Sequence, residues 1–199
     1  MAFGDFSFPG VAQALGVSVV DSALFAGVTP VKVREEFAAL IQEGADLALA
    51  INTEKARCEF IIAPVLLELR RSLGGIFGLF SGTELNVDAA RGLNGVCDFI
   101  MTKLPRQTIL TAPLVTIVEA KNDNLRSGLG QCIAAMVAAS EFNRKAEAHI
   151  HTVYGVVTTG SAWKFLQLRG LEVTIDIHEY YVVDLGRIMG ILGHIVQCG

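Results

Sequence analysis

The segment Val115–Asn124, which reads VTIVEAKNDN, changes character halfway along its length. It begins with the apolar, β-branched residues that are typical of a buried strand. Glu119 and Lys121 then stand where the apolar run ends, just before an Asn-Asp-Asn sequence. Because side chains alternate along a strand, one face should carry four of these residues: Val115, Ile117, Glu119 and Lys121. The segment therefore predicts a core strand that presents an acid and a base at its end.

A second acid lies in another apolar strand candidate, about twenty residues earlier. Asp98 stands in the middle of GVCDFIM, residues 95–101, and an unpaired carboxylate in such surroundings costs several kcal/mol. If the two strands are neighbours, Asp98 lies close to Glu119. Two carboxylates can hold Mg²⁺ through oxygen, and Lys121 can orient a water or stabilise negative charge. This predicts metal-assisted hydrolysis of a phosphodiester, and the alternative is an ion pair that only ends the strand.

The spacing of these residues resembles a known family. Asp98, then the Glu119-x-Lys121 triplet, then a helix with Gln131 resemble the PD-(D/E)xK, or restriction-endonuclease-like, nuclease superfamily. The segment YGVVTTGSAWKFLQL, with its Thr-x-Gly-x-x-Trp pattern, also resembles the strand pair that follows the core helix in such nucleases. The resemblance covers residues 54–170 and implies an α/β fold, in which helices flank a central mixed β-sheet.

The resemblance also implies roles for individual residues. It implies that Mg²⁺, with Mn²⁺ as a substitute, is the cofactor and that nucleic acid is the partner, DNA in preference to RNA. The implied metal ligands are Asp98, Glu119 and the carbonyl of Ala120. The implied catalytic residues are Lys121, an early-helix acid at Glu59, and Gln131, while Glu54 and Glu68 are alternatives for the helix acid. Arg126, which follows the strand closely, is expected to contact the substrate phosphate.

Two positions depart from the pattern of the superfamily. Cys97 precedes Asp98, where the name of the superfamily calls for proline, and Ala135 replaces the tyrosine of a Q-x-x-x-Y helix motif. Gln131 also has an interpretation that needs no family. Its helical spacing from Ala135 predicts that it faces the sheet, where a buried amide needs a hydrogen-bond partner. A core glutamine with purely structural bonds is the alternative.

The composition limits what the protein can do. Its net charge of −4 argues against strong non-specific nucleic-acid binding, which a basic surface would favour. The charge and the high mean hydropathy of +0.49 support a second hypothesis, a catalytically inactive nuclease-fold protein that acts as an interaction or assembly subunit. The same hydropathy predicts a homo-oligomer, most simply a dimer, with the apolar face of the last helix as one candidate surface.

Cysteine usage and hydropathy predict the compartment. None of the four cysteines has a CxxC neighbour, so we expect reduced thiols in the core and a cytoplasmic location. The N-terminal sequence lacks a basic region, so no secretory signal is expected. No apolar run approaches eighteen residues, so no membrane span is predicted.

The periodicity predicts the order of the elements. Residues 1–50 are expected to form an N-terminal helical arm packed on a nuclease-like domain of residues 51–199, as one compact unit. Thr29 is a candidate N-cap for the helix of the arm, and Pro64 a candidate kink in a second helix from Thr53 to Arg71. Three strands follow, then a helix for which Ser127 is a candidate cap, then further strands and a last amphipathic helix.

Overall fold

The computed structural model describes residues 1–122 and 124–198, and the side chain of residue 198 is not described. Within these residues the centre of the protein is a mixed sheet of eight strands. The strands are β1 (Ser18–Ser22), β2 (Gly78–Asp88), β3 (Leu93–Thr102), β4 (Leu114–Ala120), β5 (Thr152–Thr158), β6 (Ala162–Arg169), β7 (Glu172–Asp176) and β8 (Tyr180–Tyr181). Their order is β1-β7-β6-β5-β4-β3-β2, and β8 pairs with β6.

Helices cover both faces of this sheet. They are α1 (Gly10–Leu15), α2 (Glu35–Ile51), α3 (Glu54–Arg57), α4 (Ala63–Ser72), α5 (Leu125–Lys145) and α6 (Leu185–Cys198), with a π-helical turn at Cys58–Ile62. The core on one face contains α5 and α1, and the core on the other contains α2, α4 and α6. This arrangement confirms the predicted α/β class with a central mixed sheet between helices.

Strand pairing places the functional edge of the sheet. β4 is antiparallel to β3 and parallel to β5, and α5 connects β4 to β5. The carboxyl ends of β4 and β5 therefore lie at the same edge, next to the N-terminus of α5. Residues 1–50 contribute β1 to the sheet, where it pairs with β7, as well as the helices α1 and α2.

The first long helix begins later than predicted. α2 starts at Glu35 after Arg34, whereas the segment around Thr29 has no regular secondary structure and lies against α6. Val31 N donates to Gly186 O, and a Cβ atom at Gly190 would lie 2.6 Å from Thr29 O. The glycines of α6 thus give room to the backbone of this irregular segment. The predicted cap at Thr29 is wrong because tertiary packing outweighs a local capping signal.

The second predicted helix contains the irregularity that Pro64 suggested. Thr53 caps it, since its hydroxyl accepts from Ala56 N at 3.1 Å. The helix then passes through the π-turn before it continues as α4. Pro64 has no N–H to donate to the carbonyl of Phe60. That carbonyl instead lies against Gly44 of α2, where a Cβ atom would collide with it.

Three other local predictions are corrected. Val115 packs in the core on the α6 side while Ile117 packs under α5, because the β3–β4 register shifts by one residue between Met101 and Thr102. Asn124, not Ser127, caps α5, and its side chain accepts from Ser127 N. Those apolar residues of α6 that were a candidate dimer surface are buried: Leu185, Ile188, Met189, Leu192 and Ile195.

The remaining sequence expectations concern thiols and membranes. Cys58, Cys97 and Cys132 are free thiols, and the prediction for Cys198 falls outside the described side chains. In the described part of the chain, no helix has both the length and the apolar character to cross a membrane.

Candidate active site

The two carboxylates meet where β3 and β4 separate. The ladder between these strands ends at the pair Phe99–Val118, so the next opposed residues are Asp98 and Glu119. Ala120 N, which would otherwise lack a partner on this side, donates to Asp98 Oδ2 at 2.8 Å. The half-buried carboxylate of Asp98 therefore accepts the hydrogen bond that a backbone carbonyl of β3 would accept if the ladder continued to the end of β4.

An irregularity in β3 brings Cys97 to the same place. The pairing of β2 and β3 is interrupted at Gly82 and Asp98 without a shift of register, and Gly82 has a φ of +61°, a left-handed conformation that glycine adopts without strain. Cys97 and Ile100 both pack under α5, although strict alternation along the strand would separate them. Cys97 and Asp98 consequently both adjoin Glu119.

Glu119 is the most unusual group of the site. Its side chain is completely buried, Gln131 Nε2 of α5 donates to its Oε2 at 2.6 Å, and its Oε1 has no hydrogen-bond partner among the described residues. Burial raises the pKa of Glu119 well above its ordinary value, and the neighbouring Asp98 carboxylate raises it further. The glutamine of α5 thus binds one carboxylate oxygen, and the Asp98 carboxyl and the Cys97 thiol are the other polar neighbours of the carboxylate.

Lys121 lies on the α5 side of the sheet, as Glu119 does. Its N–H donates to Thr158 O at 2.8 Å, which extends the β4–β5 pairing by one residue. A Cβ atom on Gly128 would lie 2.9 Å from Lys121 Cγ, so the lysine stem runs directly over this glycine of α5. The positive charge of Lys121 partly offsets the rise in the pKa of Glu119. Asp98, Glu119, Lys121 and Gln131 are therefore brought together.

The turn after β5 is built by the Thr-x-Gly-x-x-Trp pattern. Thr158 Oγ1 accepts from Gly160 N at 2.9 Å, and the indole of Trp163 donates to Gly160 O at 2.8 Å. Trp163 is fully buried, so its role is to hold this turn. The turn provides a rigid neighbour for the chain that leaves β4 at Lys121.

The predicted helix acid lies away from the pair. Glu59 is exposed, forms an ion pair with Lys55 at 2.9 Å, and lines a cleft of about 220 Å³ between α2 and the π-turn. Glu68 is engaged by two arginines, Arg34 and Arg71, at another surface.

The residue of this helix that adjoins the carboxylates is Cys58. Burial first, and then the charges of Asp98 and Glu54, raise the pKa of the Cys58 thiol to about 12. Glu54 acts on this thiol from one helical turn earlier. Among the three acids considered for the helix position, Glu54 is the one whose charge acts on this thiol.

Arg126 follows the end of β4 closely along the chain. It is exposed in the first turn of α5, and its guanidinium stands over the ring of Phe8, 5.7 Å from the centroid. It lines an open depression with the N-terminal residues 4–8. In this position Arg126 is accessible to a ligand, and its contact with a phosphate stays a prediction.

The residue that sequence reasoning missed is Arg57. Its side chain is only 5% exposed and donates hydrogen bonds to Asn122, Thr159 and Asn52. The sequence contains one signal for Arg57. It stands four and eight residues before Ile61 and Val65, so helical spacing places it on the same buried face as these two residues. A cation on the apolar face of a helix needs buried acceptors, and these acceptors flank the site.

The residues present fit a magnesium ion held largely by water. Throughout residues 1–122 and 124–198, no three His, Cys, Asp or Glu side chains form a cluster that could hold a metal. Mg²⁺, however, commonly uses one or two carboxylates and keeps several waters. Asp98, the unsatisfied Oε1 of Glu119 and the Ala120 carbonyl are oxygen donors of that kind.

Comparisons with known proteins support the fold. No protein-family model matches the sequence, and no curated protein matches it significantly. One matching solved structure is a chain of the cryo-EM structure of a DrdV–DNA complex. The two are 12% identical with a TM-score of 0.50, and the match covers 82% of this chain but 14% of that chain. The likeness shows the fold alone, and the protein spans a small part of the longer chain.

Proposed function

We propose that the protein is a metal-dependent nuclease of the PD-(D/E)xK type that hydrolyses phosphodiester bonds of nucleic acid. The observation that carries this proposal is Glu119 Oε1, a buried carboxylate oxygen that lacks a hydrogen-bond partner in the described part of the chain and lies beside a second carboxylate. Such an arrangement is costly in a structural core, and costly ionisable groups concentrate at functional sites. A divalent cation would satisfy the oxygen and neutralise both charges.

The chain supplies a distinct role for each residue. Asp98, Glu119 and the carbonyl of Ala120 would hold Mg²⁺ or Mn²⁺, which when bound stabilises negative charge on the scissile phosphate. Lys121 orients the attacking water and stabilises developing charge from the α5 side. Gln131 anchors Glu119 Oε2 and thereby sets the direction of Oε1.

We propose DNA as the substrate. The solved structure that resembles this fold is a complex with DNA, which favours DNA over RNA for this chain. Because the net charge is −4, binding must rely on local bases such as Lys121 and Arg126. We therefore expect modest affinity that falls steeply with salt.

The experiment combines ion binding with cleavage. Titration of Mn²⁺ into the wild-type protein, followed by calorimetry, should show binding that Glu119→Gln removes. Cleavage of duplex and single-stranded oligonucleotides should require Mg²⁺ or Mn²⁺ and disappear in the same variant. Glu59→Gln is the matched control, because it removes an exposed acid from the neighbouring helix and should leave ion binding intact. Absence of both binding and cleavage in the wild-type protein would refute the proposal.

A non-catalytic interaction subunit of the same fold is the second candidate. The helix that approaches the carboxylates favours this candidate. Its residue near Asp98 and Glu119 is Cys58 and not an acid, and Glu59 forms an ion pair with Lys55 instead. Melting with EDTA and with Mg²⁺ separates the candidates. A ligand present at 100 times its Kd stabilises the folded state by about 2.7 kcal/mol. A melting temperature that does not change when Mg²⁺ is added supports the non-catalytic interaction subunit.

A further inference from the structure

Arg57 is a buried cation that bonds only to neutral oxygen atoms in the contacts of the described residues. Its Nε donates to Asn122 Oδ1 at 3.2 Å, one terminal nitrogen to Thr159 O at 2.7 Å, and the other to Asn52 Oδ1 at 3.0 Å. The residue is 5% exposed, so Arg57 is not a surface group that could contact a nucleic acid directly. Its charge is tolerated because all three nitrogen atoms have acceptors.

The acceptors are not scattered, since two of them adjoin one hydrogen bond of the site. Lys121 N donates to Thr158 O. Asn122 follows Lys121 along the chain, and Thr159 follows Thr158. The Arg57 guanidinium therefore binds the residue that follows the donor of this hydrogen bond, Asn122, and the residue that follows its acceptor, Thr159. The third acceptor, Asn52, caps the end of α2 and connects the pair to the helical layer.

We propose that Arg57 is a positioning residue, which fixes the chain at the end of β4 and so directs Lys121 at the carboxylate pair. This inference rests on the nuclease function proposed above. The β4–β5 pairing ends with the Lys121 N–H, so the chain beyond Lys121 lacks a continuing ladder to hold its backbone. Arg57 replaces that ladder from the α3 side, while Gly128 supports the lysine stem from the α5 side. The metal ligands Asp98 and Glu119 are held by other bonds.

Arginine is needed because the three acceptors lie around a planar fork. A lysine has a single nitrogen on a flexible stem and cannot reproduce three separate donor directions. We therefore expect Arg57→Lys to resemble Arg57→Gln, although it keeps the charge. This outcome would separate positioning from a simple electrostatic effect on the site.

Arg70 offers a matched control. It is also part-buried on the same helical segment, and it donates to two backbone carbonyls, Phe77 O and Pro105 O. These carbonyls lie near the start of β2 and just after β3, at the end of the sheet opposite to Asp98 and Glu119. Arg70→Gln should cost stability in the same way and leave the site unchanged.

The test measures cleavage, ion binding and amide exchange in Arg57→Gln, Arg57→Lys and Arg70→Gln. In both Arg57 variants kcat should fall about 10–100-fold, the usual loss for a residue that orients a functional group. KM and Mn²⁺ affinity should change little, and the amide of Lys121 should exchange faster with solvent. Arg70→Gln should show none of these changes.

Each outcome has a consequence. An unchanged kcat in the folded Arg57 variants overturns the proposal, and so does an equal loss in Arg70→Gln. If Arg57→Gln does not fold, Arg57→Lys decides by the same criteria. If the wild-type protein does not cleave, the nuclease function fails, and Lys121 exchange in the metal-free protein then decides whether Arg57 positions this residue. Unchanged exchange refutes the positioning role too.

Discussion

Glu119 combines burial, a like-charged neighbour and an unsatisfied oxygen in one residue. The amide of Gln131 satisfies only Oε2, and Asp98 adds negative charge. In the metal-free protein the protonated form is favoured, because a neutral carboxyl avoids both the desolvation and the repulsion. The folded protein therefore holds a proton here over a range of pH in which the unfolded chain has released it.

The first prediction is that Glu119→Gln stabilises the metal-free protein, and that the gain grows with pH. The folded-state pKa is raised, so the native state binds more protons than the unfolded state above the ordinary glutamate pKa of about 4.3. The wild-type protein consequently loses unfolding free energy as pH rises from there toward the folded-state pKa, and the glutamine variant does not. We expect a difference on the order of 1–2 kcal/mol near neutral pH.

Thermal melting in EDTA across pH 4 to 8 checks this prediction, the range being set roughly by the carboxylate titration. Addition of Mg²⁺ should raise the melting temperature of the wild-type protein alone, because the ion needs the deprotonated carboxylate. If the melting temperatures of the two proteins change with pH in the same way, Glu119 does not have a raised pKa and the prediction is wrong.

The second prediction separates Lys121 from the metal ligands. Lys121→Met keeps the stem that packs on Gly128 but removes the charge, so the fold and Mn²⁺ affinity should be preserved. Turnover should fall by about 10²–10⁴-fold, the range for a group that acts on proton transfer and charge. Calorimetry and cleavage assays on the same preparation measure both quantities. Loss of Mn²⁺ binding in this variant would contradict the assigned role.

At the scale of elements, the contact of α5 with the end of the sheet determines the geometry of the site. A Cβ atom on Gly128 would lie 2.6 Å from Val157 Cγ1 as well as 2.9 Å from Lys121 Cγ. The third prediction is that Gly128→Ala destabilises the fold by about 1–3 kcal/mol through overpacking, which exceeds the helix-propensity gain of about 1 kcal/mol. Because α5 must move away from Lys121, turnover should fall as well.

The control for Gly128→Ala lies two residues further along α5. A Cβ atom on Gly130 would collide with the carbonyl of Phe6, in the N-terminal segment and not in the site. Gly130→Ala should therefore lose stability while the surviving folded protein keeps its turnover number. Unfolding in urea and cleavage assays measure the two effects. Equal turnover numbers in both variants would show that Gly128 does not support Lys121.

The periodicity predicted the types and order of most elements because apolar spacing depends on burial. It could not predict the extra residue at Val115, since that bulge depends on how β3 pairs with β4. Likewise, Thr29 has the chemistry of a helix cap, but its backbone packs against the glycines of α6 and no helix begins there.

The site shows the same limit. The pairing of two neighbouring strands brings Asp98 and Glu119 together as predicted, although β3 departs from strict alternation at Cys97, and Gln131 follows from helical spacing. The helix acid could not be predicted from spacing, because the π-turn after Arg57 changes the helical period and leaves Cys58 facing the two carboxylates. Arg57 was missed because its acceptors come from three separate segments, and only the folded chain brings these together.

At the scale of the whole molecule, the apolar surface predicts where a second copy would bind. The face of α6 is used in the core, so the dimer expected from mean hydropathy needs another surface. Exposed apolar residues at helical spacing form a stripe on one side of α2, namely Leu40, Leu47 and Ile51, and Leu67 of α4 is exposed as well. Phe60 and Pro64 line the cleft between the two helical segments. We propose this helical pair as the dimer surface.

The fourth prediction is that charge on this stripe separates the dimer. Leu40 is 54% and Leu47 47% exposed, so Leu40→Glu with Leu47→Glu should leave the monomer fold intact. Acidic side chains facing each other across a two-fold interface would repel and lose their hydration, which disfavours association. Val183→Glu is the control, because Val183 is 86% exposed but lies outside the stripe. Sedimentation should show a dimer for the wild-type and control proteins and a monomer for the double variant. A wild-type monomer at high concentration would refute the dimer, and a dimer that survives both substitutions would place its interface elsewhere.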